Sequence, residues 1–191
     1  IHATLNTVGQ VKAEVMKDRI LSINSECNVV IKKEILNGNV KDFFENEKYD
    51  YVIDAIDMIK SKVELIKYCS ENDIDLISSM GFGNKMNPEM IKITDISKTI
   101  MCPLARKMRK LLRAENIGEL TVAYSEEEAL KPDKSAKYKT ETLTEYRDHN
   151  TLPKKTTPGS NAFVPGTAGF IISAYVIRKL LEEMWNENIV R

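Results

Sequence analysis

Cysteine is scarce in this chain and never paired. Cys27, Cys69 and Cys102 are odd in number, far apart and in no CxxC motif, which argues against a zinc knuckle and against a disulfide framework. A reducing, cytoplasmic setting is the expectation. Charge of one sign is not in excess either: 28 Lys and Arg stand against 28 Asp and Glu. No global field therefore steers the protein toward nucleic acid or acidic lipid, and any polyanion site must be a local patch. A clean apolar run of about 20 residues is missing as well. The most apolar stretch, NAFVPGTAGFIISAYVIRKLL, is broken by Pro165, Gly166 and Gly169 and is expected to be a buried core helix rather than a membrane span. Residues 1–10, IHATLNTVGQ, resemble no signal peptide. The chain opens on Ile1 rather than Met, so a piece of a longer protein is expected.

What is present suits a soluble globular unit, expected as one domain over residues 1–191: 42% of residues are hydrophobic and 29% charged. Val11, Val15, Met16, Ile20 and Ile23 recur at helical spacing, predicting an amphipathic helix from about Thr7 to Asn24. Asn28 to Leu36, NVVIKKEIL, is β-branched and strand-like. Asn39 to Asn46 is a short helix candidate, Tyr51 to Ala55 a strand, and Ile59, Val63, Ile66 and Cys69 mark one face of a helix reaching about Asn72. The apolar run Ile74 to Ser78 is stopped at Gly81 and Gly83. Strands alternating with helices of this length predict an α/β fold with a largely parallel sheet. Further on, Ile91 and Ile93 alternate with Lys92 and Thr94 as in a half-exposed strand. Pro103 starts a helix striped by Leu104, Met108, Leu111 and Leu112, and LTVAY is a last strand. Residues 125–160 are polar and read as a mobile loop or crossover.

The strand YVIDAIDMIKSK places Asp54 and Asp57 three residues apart where it gives way to a helical pattern. Ligands of open α/β sheets sit beyond the carboxyl ends of strands, and two carboxylates there could hold a magnesium nucleotide. Alternatively, Asp57 caps the following helix and Asp54 hydrogen-bonds a neighbouring turn. Arg106, Arg109, Lys110 and Arg113 share one face of a helix and could contact phosphates, or simply be solvated. Cys102, before Pro103 at a predicted helix start, is read as a capping or packed cysteine.

Larger patterns add to this. TVGQVKAEVMKDRILSINSEC, YVIDAIDMIKSK and ISSMGFGNKMNPEMIKITDISKT resemble the ThiF/MoeB/HesA superfamily of ubiquitin-activating-enzyme-like adenylyltransferases. The order VGQVKAE, VIDAID, SKVELIKYC and DISKT before a PLA helix looks most like its tRNA threonylcarbamoyladenosine dehydratase branch. The similarity covers residues 1 to about 124 and returns at about 158 to 181.

The resemblance implies a Rossmann-like ThiF/MoeB-type fold, mainly parallel with an antiparallel extension. It implies ATP and magnesium as cofactors, and tRNA carrying threonylcarbamoyl adenosine as substrate. It places Lys12 on the ATP phosphates, Asp57 as the acid facing the reacting phosphate and its magnesium, and Asp54 as a shaper of the nucleotide pocket. The tRNA would be met by the patch of Arg106, Arg109, Lys110 and Arg113. Homodimerisation is usual in the superfamily, and a sulfur-transfer partner protein stays open. The family's glycine-rich nucleotide loop and the first βαβ unit are expected to precede Ile1, so the chain alone is expected to bind ATP poorly and to be inactive. Gly81 and Gly83 do not replace that loop; a lone GxG after a strand is an ordinary turn. TPGSNAFVPGTAGF holds no cysteine where some members carry one, and zinc-binding CxxC pairs are missing, which favours the dehydratase branch. Two other readings stay open: adenylation of the carboxyl terminus of a ubiquitin-like sulfur carrier, and a non-catalytic nucleotide-binding module.

Overall fold

The computed structural model describes residues 4–44, 47–131 and 158–189. The chain divides into two compact units: one holds the residues up to Ile35, the other residues 36–131 and those from Pro158 onward.

In the first unit the predicted helix forms as α1, Lys12–Ile23. None of its residues is buried, and its ion pair joins Glu14 to Lys33. The stretch 28–36, predicted as a strand, forms no strand among the described residues. β-branched residues favour an extended backbone, but a strand also needs a neighbour to satisfy its amides, and a local pattern cannot supply one.

The second unit follows the predicted alternation closely: α2 (Val40–Phe44), β1 (Val52–Asp54), α3 (Ile59–Glu71), β2 (Leu76–Ser79), β3 (Ile91–Asp95), α4 (Pro103–Ala114), β4 (Thr121–Ser125) and α5 (Phe163–Ile189). The strands lie in the order β1-β2-β4-β3. β1 pairs parallel with β2 and β2 with β4, while β3 runs antiparallel to β4 with Ile91 opposite Ser125 and Asp95 opposite Thr121. The carboxyl ends of β1, β2 and β4 therefore share one rim.

Strand alternation sorts the core into two faces. Val122 and Tyr124 of β4 pack with Ile66 of α3 and with Ala105, Met108 and Leu112 of α4. Ala123 of β4 and Ile77 of β2 point the other way, onto Val164, Ala168, Ile172 and Val176 of α5. Each fully buried side chain of this size contributes about 1.5–3 kcal/mol. The stripe of α5 at i, i+4, i+8 and i+12 is buried as expected, but its opposite face is not: Phe170 is 80% exposed and Ile177 and Leu181 are each 56% exposed. The twenty residues Phe163–Glu182 are also long and apolar enough to cross a membrane by length and composition alone.

The expected loop over residues 125–160 falls mostly outside the described residues, but its two ends are held together. Asn84, which follows β2 with φ 58°, accepts the amide of Gly159 on Oδ1 at 2.6 Å. Its own amide donates to the Gly159 carbonyl at 2.8 Å, and its carbonyl accepts the Leu130 amide at 2.7 Å. A Cβ at Gly83 would stand 2.8 Å from the Cβ of Pro158. The GFGN turn, ordinary by its pattern, is a clamp that admits no side chain at Gly83.

Candidate functional site

β1 ends in a carboxylate that faces inward. Asp54 is fully buried, and its oxygens are taken by protein donors. Oδ1 accepts the Ile56 amide at 3.0 Å, a local turn that stops the strand and redirects the chain toward α3. Oδ2 accepts the Ser78 hydroxyl at 2.6 Å and the Lys62 ammonium at 2.6 Å. Lys62, in the first turn of α3, is equally buried. It donates also to Ser78 Oγ at 3.1 Å and to the Ser79 carbonyl at 2.9 Å, so three acceptors match its three protons.

Burial pulls the Lys62 ammonium below its ordinary value, while the charge and hydrogen bond of Asp54 and the charge of Asp57 push the other way. The two side chains sit 2.6 Å apart, each the other's principal polar partner. Deleting one member of such a pair typically loses about 3–5 kcal/mol, because the other is left as an uncompensated buried charge.

Asp57 lies beyond this cluster and is exposed at the rim. The residue at the amino cap of α3 is Met58, without a side-chain cap. The two aspartates thus divide their roles. Asp54 makes the turn that the alternative reading anticipated and builds the rim from within, whereas Asp57 presents its carboxylate outward. Lys12, in the first unit, is exposed in the first turn of α1.

The described residues contain no group of three or more His, Cys, Asp or Glu placed to hold a metal. A magnesium ion brought in on a nucleotide would keep several waters and need only one or two carboxylates besides the phosphates. Asp57 is the rim carboxylate whose hard oxygens fit it.

α4 carries Arg106, Lys110 and Arg113 exposed, opposite its buried Ala105, Met108 and Leu112. Arg109 is different: its guanidinium donates to the carbonyls of Ile96 at 3.2 Å and Thr99 at 3.1 Å, and to the Thr99 hydroxyl. It holds the turn between β3 and α4. Cys102 is buried and caps α4, its Sγ accepting the Ala105 amide at 3.5 Å. Sequence reasoning missed Lys62 and Ser78 altogether; the one available signal was a lysine eight residues after a strand-ending aspartate.

A cleft of about 680 Å³ opens at the other end of the sheet, lined among others by Ser70, Asp95, Lys98 and Glu119. Asp95 is already engaged there by the amides of Ser97 and Leu120. The rim is the better site, because it combines the crossover loops with an outward carboxylate on a rigid support.

A mainly parallel sheet with an antiparallel edge, and an acid set at the carboxyl end of a strand, define a Rossmann-like nucleotide-binding architecture. The chain belongs to the ThiF family, whose model matches residues 1–190. It is 40% identical over 186 residues to the tRNA threonylcarbamoyladenosine dehydratase of Bacillus subtilis, covering 96% of this chain and 71% of that protein. The Escherichia coli dehydratase matches at 42% over 115 residues, 60% of this chain and 43% of its own length. Crystal structures of the E. coli enzyme, TcdA, in complex with AMP and with ATP superpose with a TM-score of 0.79 at 31% identity, over 97% of this chain and 70% of theirs.

Proposed function

We propose that the protein is an ATP-dependent dehydratase of threonylcarbamoyl adenosine in tRNA. The observation that carries this is the rim of β1, where a buried Asp54–Lys62–Ser78 cluster supports an outward Asp57, in a fold matched to an ATP-bound dehydratase. A free carboxylate is a poor electrophile. Its oxygen bonds to the α-phosphorus of ATP as pyrophosphate leaves, giving a mixed anhydride. A nucleophile of the same side chain then attacks the acyl carbon and AMP departs with the carboxylate oxygen. Loss of a proton completes a cyclic product one water lighter. The reacting ends are already tethered, so proximity supplies much of the second step and no protein thiol is required.

In this reading Asp57 binds the magnesium that accompanies the nucleotide and thereby aligns the phosphate electrophile. Lys12 is a point charge for the phosphates. The exposed cations of α4 contact tRNA. Three free cysteines support a reducing, cytoplasmic compartment. We also propose a homodimer, supported by the uncovered apolar face of α5; the solution mass of the full-length protein checks it.

The central test incubates the full-length protein with magnesium, ATP and tRNA carrying threonylcarbamoyl adenosine, then weighs the digested nucleosides. ATP-dependent loss of one water, reduced at least about 100-fold by Asp57→Ala, is the expected result. An ATP-binding protein that leaves the nucleoside mass unchanged would overturn the reading in favour of a carrier-protein substrate.

A further inference from the structure

Lys62 is a cation wholly enclosed beneath the end of β1; the other buried lysine among the described residues, Lys85, bonds carbonyls at the end of β4 instead. The Lys62 ammonium touches two segments, the end of β1 through Asp54 and the end of β2 through the Ser78 hydroxyl and the Ser79 carbonyl, and its own backbone, in the first turn of α3, adds a third. Its amide donates to the Met58 carbonyl at 2.9 Å, the bond that opens the helix. Asp57 and Met58 lie on the short bridge between the two anchored points, Asp54 and Lys62. The strand end, the helix start and the neighbouring strand that flank the bridge are thus all tied to one ammonium.

A neutral side chain could not do this. Asp54 has no solvent, so its charge needs a partner inside, and among the described residues no buried polar side-chain atom lacks one. The charge of Asp57 is felt at Lys62 as well, which puts the outward carboxylate within electrostatic reach of the buried cation. Two acids at a strand end would repel; a cation behind them offsets that repulsion and draws the outer one toward a defined orientation.

We propose that Lys62 is a positioning residue for nucleotide activation: by locking Asp54, Ser78 and the Ser79 carbonyl, it holds the 54–58 turn so that Asp57 is aimed at the magnesium nucleotide. The inference rests on the proposed adenylating site, not on the tRNA substrate.

Lys62→Met alone would strand a buried carboxylate and unfold part of the protein. The test therefore swaps the pair together, Lys62→Met with Asp54→Asn, which removes both charges and keeps an acceptor for the Ile56 amide. Asp57→Ala is then made in the parent and in the swapped background. The readouts are magnesium-ATP affinity by calorimetry, kcat and KM for tRNA, and the thermal midpoint.

In the parent, Asp57→Ala is expected to weaken magnesium-ATP at least ten-fold. In the swapped background it changes affinity less than two-fold, because the carboxylate is no longer aimed. The swap itself lowers kcat ten-fold or more while KM for tRNA and the melting profile stay near the parent's. Equal effects of Asp57→Ala in both backgrounds overturn the proposal, as does a parent that does not bind magnesium-ATP. Coupling in ATP affinity without any dehydration of tRNA keeps the role of Lys62 and sinks only the dehydratase reading.

Discussion

Lys60 and Lys62 are the same residue type two positions apart in α3, yet one side chain is 73% exposed and the other 1%. Helical spacing puts Lys62 on the face of Ile59 and Ile66 and Lys60 off it, but a lysine on such a face is ordinarily read as reaching for solvent. Its inward role is recognisable only when β2 brings Ser78 beside Asp54. The aspartates were legible because a charge that ends an apolar strand is conspicuous; their division into an inner and an outer role was not, since it depends on which pleat face α3 covers. The cysteines show the same limit. Burial, and secondarily the charge of Asp54, push the Cys69 thiol up to about 11, and Cys102 is spent as a helix cap, whereas Cys27 is exposed. In native buffer at neutral pH, iodoacetamide is expected to modify Cys27 and spare Cys69 and Cys102 until the protein is unfolded, as read by peptide mass spectrometry. Modification of Cys69 at a rate close to that of Cys27 would contradict this environment.

At the scale of elements, period and punctuation located nearly all the helices and strands of the second unit, because each has a dedicated buried face. They failed at residues 28–36, where the extended tendency is real but no ladder partner is found among the described residues. Antiparallel pairing at one edge was expected through the family resemblance, whereas the period of β3 alone did not give it. It is secured by side chains at its ends: Glu127 takes the amides of Met86 and Asn87, Asp95 those of Ser97 and Leu120, and Lys92 pairs with Glu126 at 2.6 Å. Glu127 is held below its ordinary 4.5 mainly by the Asn87 amide, and Glu126 by the Lys92 ammonium. Burial works against Asp95, but the bonds from Ser97 and Leu120 outweigh it and keep it below 3.8. The unfolded chain therefore binds protons first as pH falls. The stabilisation is complete above those ordinary values and is lost as pH drops through the lower folded ones. Amide-exchange protection factors of Met86, Asn87 and Leu120 are expected to decline together below pH 4.5. Unchanged protection well under 3.8 would remove these carboxylates as fasteners of the β3–β4 edge.

For the whole molecule, equal numbers of acids and bases hide an uneven distribution. The outer face of α4 carries Arg106, Lys110 and Arg113 with no acid inside the helix, while Arg109 is withdrawn into the turn beside it. Composition could exclude a global field but could not say that one member of the patch was structural. Changing Arg106, Lys110 and Arg113 together to glutamine is expected to leave folding intact and weaken tRNA binding. The slope of log affinity against log salt should become shallower by roughly 2–3, about one for each phosphate no longer neutralised. A slope identical to the parent's would place tRNA elsewhere. A largely parallel α/β sheet was implied by alternation of elements, whereas the strand order and the division at Ile35 were not, since neither leaves a mark in local composition.

The clamp at Asn84 has a bearing on tolerance to change. Leu130 and Gly159 are fastened to the same residue, so the chain between them leaves and re-enters the fold at one anchorage. The fastening of both described ends thus hangs on one asparagine and on the bare glycine before it, and a single methyl added at Gly83 would collide with Pro158 and unfasten both at once.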